Sequence, residues 1–155
     1  MTHRELCILG AKYMKNKGIK PLNGKPRYVV VELERVGECP DVFGFGSCNS
    51  QLLEIKVSRG DFLADNNKSW RKSPEDGLGQ LRAYLCPTNL IKIEELPNCW
   101  GLLYSDEKGI IRLIKEPEIQ KSCALRELSL AVSIMRRENV KPQIFNYKKY
   151  KNCTL

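Results

Sequence analysis

Pro40-Asp41-Val42-Phe43-Gly44-Phe45-Gly46-Ser47-Cys48-Asn49-Ser50-Gln51-Leu52-Leu53-Glu54-Ile55-Lys56 holds two short apolar runs around a small polar loop, Gly46-Ser47-Cys48-Asn49. Such a pattern predicts a β-hairpin, with strands over Asp41–Phe45 and Leu52–Ser58. Side chains alternate along a strand, so Leu53, Ile55 and Val57 face one way and Glu54 and Lys56 the other. The first set is apolar and belongs on a core. The second is charged, yet its strand reads as internal. A hairpin symmetric about the midpoint of Ser47 and Cys48 sets Asp41 directly opposite Glu54. Opposed Cβ atoms lie about 5 Å apart, and two carboxylates there repel by about 3 kcal/mol at an effective dielectric near 20. A held proton relieves that repulsion, and so does a bound cation. Mg²⁺, or Mn²⁺ in its place, suits such a pair, because it prefers oxygen ligands and completes its shell with water and phosphate. Lys56 then stands beside the ion, able to orient or deprotonate an attacking water. The competing reading is a Glu-Lys pair decorating a solvated face, since short motifs often arise by chance.

Working outward, His3 to Asn16 reads as a helix. Thr2 and Glu5 have capping-box spacing, Leu6, Leu9, Tyr13 and Met14 share a stripe, and Gly18 ends it. Lys20–Pro26 is a loop, and Tyr28–Arg35 is a valine-rich strand that makes the hairpin a three-strand meander. Asp61 to Ser73 is polar. Ser73-Pro74-Glu75-Asp76 has the form of a helix start, which predicts a second helix to about Leu85. Trp100–Ser105 and Ile110–Ile114 read as strands, and Ser122–Glu138 as a last helix. The order predicts one α/β domain over residues 1–140 with a mixed sheet, followed by a basic tail, 141–155.

The 155-residue length suits one domain, and the 42% hydrophobic content supplies a core. The net charge of +8 favours a polyanionic partner. No apolar run nears the roughly 18 residues of a membrane span, and no signal peptide is legible, so the expected address is the cytoplasm. The seven cysteines are scattered, with no pair at zinc-knuckle spacing, and His3 is far in sequence from most of them. They read as free thiols, with a structural zinc site as the lesser alternative.

Pro40-Asp41 followed, after a gap of twelve residues, by Glu54-Ile55-Lys56 resembles the PD-(D/E)XK motif of restriction-endonuclease-like nucleases. That family's core is a helix, a three-strand meander, a helix and a further strand. Gln80-Leu81-Arg82-Ala83-Tyr84 is similar to the Q-x-x-x-Y element of the RecB-like branch. The chain also resembles MmcB-type bacterial DNA-repair proteins. The matching residues are Ser58-Arg59-Gly60-Asp61-Phe62-Leu63-Ala64-Asp65, Lys68-Ser69-Trp70, Leu96-Pro97 and Trp100-Gly101-Leu102-Leu103, then Asp106 and Gly109-Ile110-Ile111. It departs from that pattern in the longer, more polar stretch Arg71–Gly79, which is compatible with a different substrate.

The resemblance implies a Mg²⁺- or Mn²⁺-dependent DNA nuclease with Asp41 and Glu54 on the metal and Lys56 assisting. Gln80 and Tyr84 would support the site from one helix face, and Glu5 would be either a further ligand or only a cap. Arg59, Lys68, Arg71, Lys72 and Arg82 would contact phosphates, or else form a solvated basic face. Asp65 reads as a cap or turn residue and Trp70 as a core or lid residue. The implied partner is DNA, without a membrane, and a homodimer is compatible. The alternatives are a DNA-binding module without activity on the same scaffold, and a basic protein-interaction domain.

Overall fold

The computed structural model describes residues 1–20, 24–33, 39–46, 49–65, 68, 71 and 73–141. Among them a six-stranded mixed sheet runs in chain order, with β1 (Tyr28–Val31), β2 (Val42–Phe45), β3 (Ser50–Ile55), β4 (Leu81–Pro87), β5 (Gly101–Ser105) and β6 (Ile111–Lys115). Strands β1 to β3 form the expected antiparallel meander, β3, β4 and β5 are parallel, and β6 returns antiparallel. Three α-helices lying wholly among the described residues accompany the sheet: α1 (His3–Lys17), α2 (Arg59–Asp65) and α3 (Ala124–Arg137). A parallel step needs a crossover connection. The segment carrying α2 provides it between β3 and β4. No helix among the described residues is long and apolar enough to cross a membrane.

Helix α1 starts where its capping box requires, with Thr2 Oγ1 accepting from the Glu5 N–H and the Glu5 carboxylate accepting from the Thr2 N–H. Its buried side, including Leu6, Cys7 and Met14, packs on Val42, Leu53, Ile55, Ala83 and Leu85. On the other sheet face Phe43, Leu52, Tyr84, Trp100 and Leu102 pack with Phe62 of α2 and Leu130 of α3. Full burial of each large apolar side chain contributes about 1.5–3 kcal/mol, so both layers are needed. Leu53 and Ile55 lie under α1 as the alternation predicts, whereas Val57 lies beyond the end of β3 and is 36% exposed.

The second helix is not where its start signal placed it. Pro74–Asp76 makes a single 3-10 turn, the Ser73 side chain makes no cap bond, and Leu81–Pro87 is a strand. This strand lies between two parallel neighbours and is buried on both faces, so its apolar run is nearly continuous and carries no period of two. The turn before it depends on Gly79, whose φ is +83° and whose added Cβ would lie 2.7 Å from Leu52 Cβ. Gly79→Ala is therefore expected to cost about 1–3 kcal/mol, read as a lower urea midpoint with an unchanged slope. The helix that follows the meander is α2, which starts at Arg59 and runs into the stretch that reads as merely polar.

Candidate active site

The hairpin register is the expected one. Val42 pairs with Leu53 and Phe43 with Leu52, so the next position outward sets Asp41 against Glu54. The Ile55 N–H donates to Asp41 Oδ2 at 2.8 Å, which ties the carboxylate across the hairpin. Burial, and then the neighbouring Glu54 charge, push the Asp41 carboxyl above the ordinary range. Glu54 is 1% exposed and Lys56 4%. Neither decorates a solvated face: Lys56 is paired with Asp65 of α2, and Glu54 meets Lys68 and Arg71.

Asp65, at the C-terminus of α2, is the centre of this buried cluster. It accepts from Tyr84 Oη at 2.7 Å, Lys56 Nζ at 3.1 Å and Arg71 Nε at 2.6 Å, and pairs with Lys68 Nζ at 2.7 Å. Burial alone would raise its pKa, but the hydrogen bond and charge of Arg71, with Lys68 and Lys56, hold it well below the usual carboxylate range. Glu54 Oε2 meets the same three cations, Arg71 at 3.3 Å, Lys56 at 3.4 Å and Lys68 at 3.7 Å. Its other oxygen, Oε1, is buried and has no hydrogen-bond partner among the described residues. Such an atom costs about 1–3 kcal/mol when left unsatisfied. Arg71 is held over the Trp100 ring at 4.6 Å, and Trp100 stacks on Tyr84 at 4.5 Å. Desolvation would lower the pKa of Arg71, yet Glu54 and Asp65 outweigh it and raise it. Desolvation raises the Tyr84 phenol likewise.

Asp41, Glu54, Lys56 and Tyr84 are thus brought together, and Asp61 stands at the rim with an oxygen 3.9 Å from Lys56 Nζ. Tyr84 arrives by strand pairing, directly beside Glu54 in the β3–β4 register, and not from a helix. Gln80 does not join it. Its backbone bonds to Ser50 and Gln120 at the opposite end of β3, and its side chain lines an open groove with Phe45, Lys121 and Glu127. Glu5 is consumed by the cap and its pKa is lowered by the Thr2 backbone.

The basic residues divide as well. Arg82 is buried and donates to the carbonyls of Gly79, Pro74 and Lys121, so it is a structural strut. Arg59 is paired with Glu95 at 2.6 Å. Arg71 is in the buried cluster, its side chain 3% exposed, so it is no solvated phosphate contact. Lys68 is 38% exposed and combines access to solvent with contact to both buried acids. Lys72, Trp70 and the tail from 142 onward lie outside the described residues.

Two residues were not legible as members of the site. Asp65 looks like a cap in the sequence, because nothing local shows that three cations and a tyrosine will converge on it. His3 reads as far from most of the cysteines, yet its Nε2 lies 3.4 Å from Asp41 Oδ1 and its Nδ1 lies 3.5 Å from Cys7 Sγ. Its i,i+4 spacing to Cys7 on a capped helix was the available signal. Burial, with Asp41 and Glu32 close by, pushes the Cys7 thiol up to about 12.

No family model and no curated protein matches this chain. Among solved structures it is similar to the SPO1766 protein of unknown function from Silicibacter pomeroyi, at 26% identity and a TM-score of 0.53, over 76% of this chain and 84% of that one.

Proposed function

We propose that the chain is a divalent-metal-dependent DNA nuclease on a restriction-endonuclease-like core, acting at Asp41, Glu54 and Lys56. The observation that carries this is the opposed acid pair. Glu54 Oε1 is buried without a hydrogen-bond partner among the described residues, beside an Asp41 whose charged form is disfavoured by burial and by Glu54. A divalent ion between them satisfies the orphan oxygen and cancels the repulsion together. Element order supports the reading, since α1, an antiparallel meander, α2 and a parallel β4 follow the order the family resemblance implies.

Bound there, Mg²⁺ or Mn²⁺ would polarise the scissile phosphate and lower the pKa of a water. Asp41 and Glu54 are its ligands, Asp41 being steadied by the Ile55 N–H. Lys56 is aimed by Asp65 towards Glu54 and would orient the attacking water or offset charge gathering on the phosphate. Tyr84 holds Asp65 and is a positioning residue. Lys68, half-exposed at the rim, is placed to meet a DNA phosphate.

A specific observation favours a second reading, a DNA-binding module without activity. Glu54 already meets three cations, so its charge is compensated without a metal. Incubating the protein with single-stranded, branched and duplex DNA and Mg²⁺ or Mn²⁺ separates the two. The nuclease reading requires metal-dependent cleavage. Salt-sensitive binding that ignores divalent ions, without cleavage, supports the module instead.

Asp41→Asn supplies a further prediction. A carboxyl whose folded pKa is raised loses stability as pH climbs from its ordinary range through the folded value. Asparagine removes that charge and keeps an acceptor for the Ile55 N–H. The variant is expected to lose cleavage while its metal-free Tm at pH 7 stays level or rises; a large fall in Tm would contradict this.

A further inference from the structure

His3 and Cys7 lie one turn apart on α1, so both side chains leave one helix face. Cys7 is fully buried and His3 is 36% exposed, so the thiol forms the floor and the ring the rim of one small polar corner. Asp41 closes it from β2's edge, with Oδ1 3.4 Å from His3 Nε2. Glu32 brings Oε1 to 3.6 Å from His3 Nδ1. It does so from backbone at φ 46°, in the left-handed region that non-glycine residues rarely adopt. One ligand atom from each of His3, Cys7 and Asp41 lies within 4.8 Å of the other two.

We propose that His3, Cys7 and Asp41 form a binding site for a thiophilic divalent ion of the zinc class, with Glu32 as the fourth ligand. Imidazole nitrogen, thiolate and carboxylate together are a donor set that Zn²⁺ and its neighbours take, whereas Mg²⁺ takes oxygen alone. Zinc bonds of about 2.0–2.3 Å place tetrahedral ligand atoms about 3.3–3.6 Å apart. The Cys7–His3 contact at 3.5 Å and the His3–Asp41 contact at 3.4 Å have that length, through different ring nitrogens. A single ion takes one nitrogen, so the half-exposed imidazole turns about its Cβ–Cγ bond on binding. The Cys7 thiol gives its proton to solvent as the sulfur–metal bond forms. This site needs neither DNA nor cleavage, and it differs from the Asp41–Glu54 position in requiring sulfur.

The test is a Co²⁺ titration of the full chain in the absence of DNA. A near-ultraviolet thiolate-to-cobalt band is expected, saturating at one ion per chain, with visible bands of tetrahedral intensity. Cys7→Ser removes the thiolate band. His3→Ala, at the exposed rim and checked for fold by circular dichroism, weakens Co²⁺ binding at least about tenfold. Glu54→Gln leaves the band in place whatever becomes of nuclease activity. No band in the native protein, a band that survives Cys7→Ser, or unchanged affinity in His3→Ala each overturns the proposal. So does loss of the band in Glu54→Gln, which would put the ion in the oxygen-rich position.

Discussion

Asp65→Asn is expected to destabilise the protein by about 3–5 kcal/mol, the usual cost of removing one partner from a buried ion cluster. Asp65 is 1% exposed and answers Lys56, Lys68, Arg71 and Tyr84. Without its charge, Arg71 and Lys56 keep Glu54 as their shared counterion, with Asp61 only at the rim. For a chain of this length the change corresponds to a fall in Tm of about 10 °C, measurable by thermal denaturation at pH 7. The pH dependence has a definite sign. A carboxyl whose folded pKa is depressed stabilises fully above its unfolded pKa and loses that contribution as pH falls through the folded one. The wild-type and variant stabilities should therefore converge as pH drops from about 5. A difference that stayed constant down to pH 2 would show that Asp65 acts by shape and not by charge.

Glu54→Gln carries the second large effect. If Glu54 is a metal ligand, DNA cleavage should fall by about two to four orders of magnitude, the range found when a group acting at the reacting centre is removed. The same substitution should abolish the Mg²⁺-induced rise in Tm, because an ion that binds only the folded state stabilises by about 1.4 kcal/mol at ten times its Kd. Unlike Asp41→Asn, it should also lower the metal-free stability, since Glu54 Oε2 is within 4 Å of three cations. The two proposed ligands thus differ in what they do without metal: Asp41 repels its neighbour, whereas Glu54 neutralises cations. A Glu54→Gln protein that cleaves normally removes the nuclease reading, whatever its stability.

The meander, the register that opposes Asp41 to Glu54, the capped first helix and the last helix were legible in the letters, because alternation, turn residues and capping spacing are local properties. The strand at Leu81–Pro87 was not. Burial on both faces erased its periodicity, and a proline-acid turn imitated a helix start. The cluster around Asp65 was equally hidden. The paired groups come from β3, α2, the segment carrying Arg71 and β4, and only the parallel placement of β3 beside β4 brings Tyr84 to Glu54 and Asp65. Arg71 reads as a phosphate contact or a solvated cation in the linear sequence, and Lys56 shows there no partner but Glu54. What keeps them inside is the desolvated pair of carboxylates opposite them, a partnership that exists only once the chain has folded.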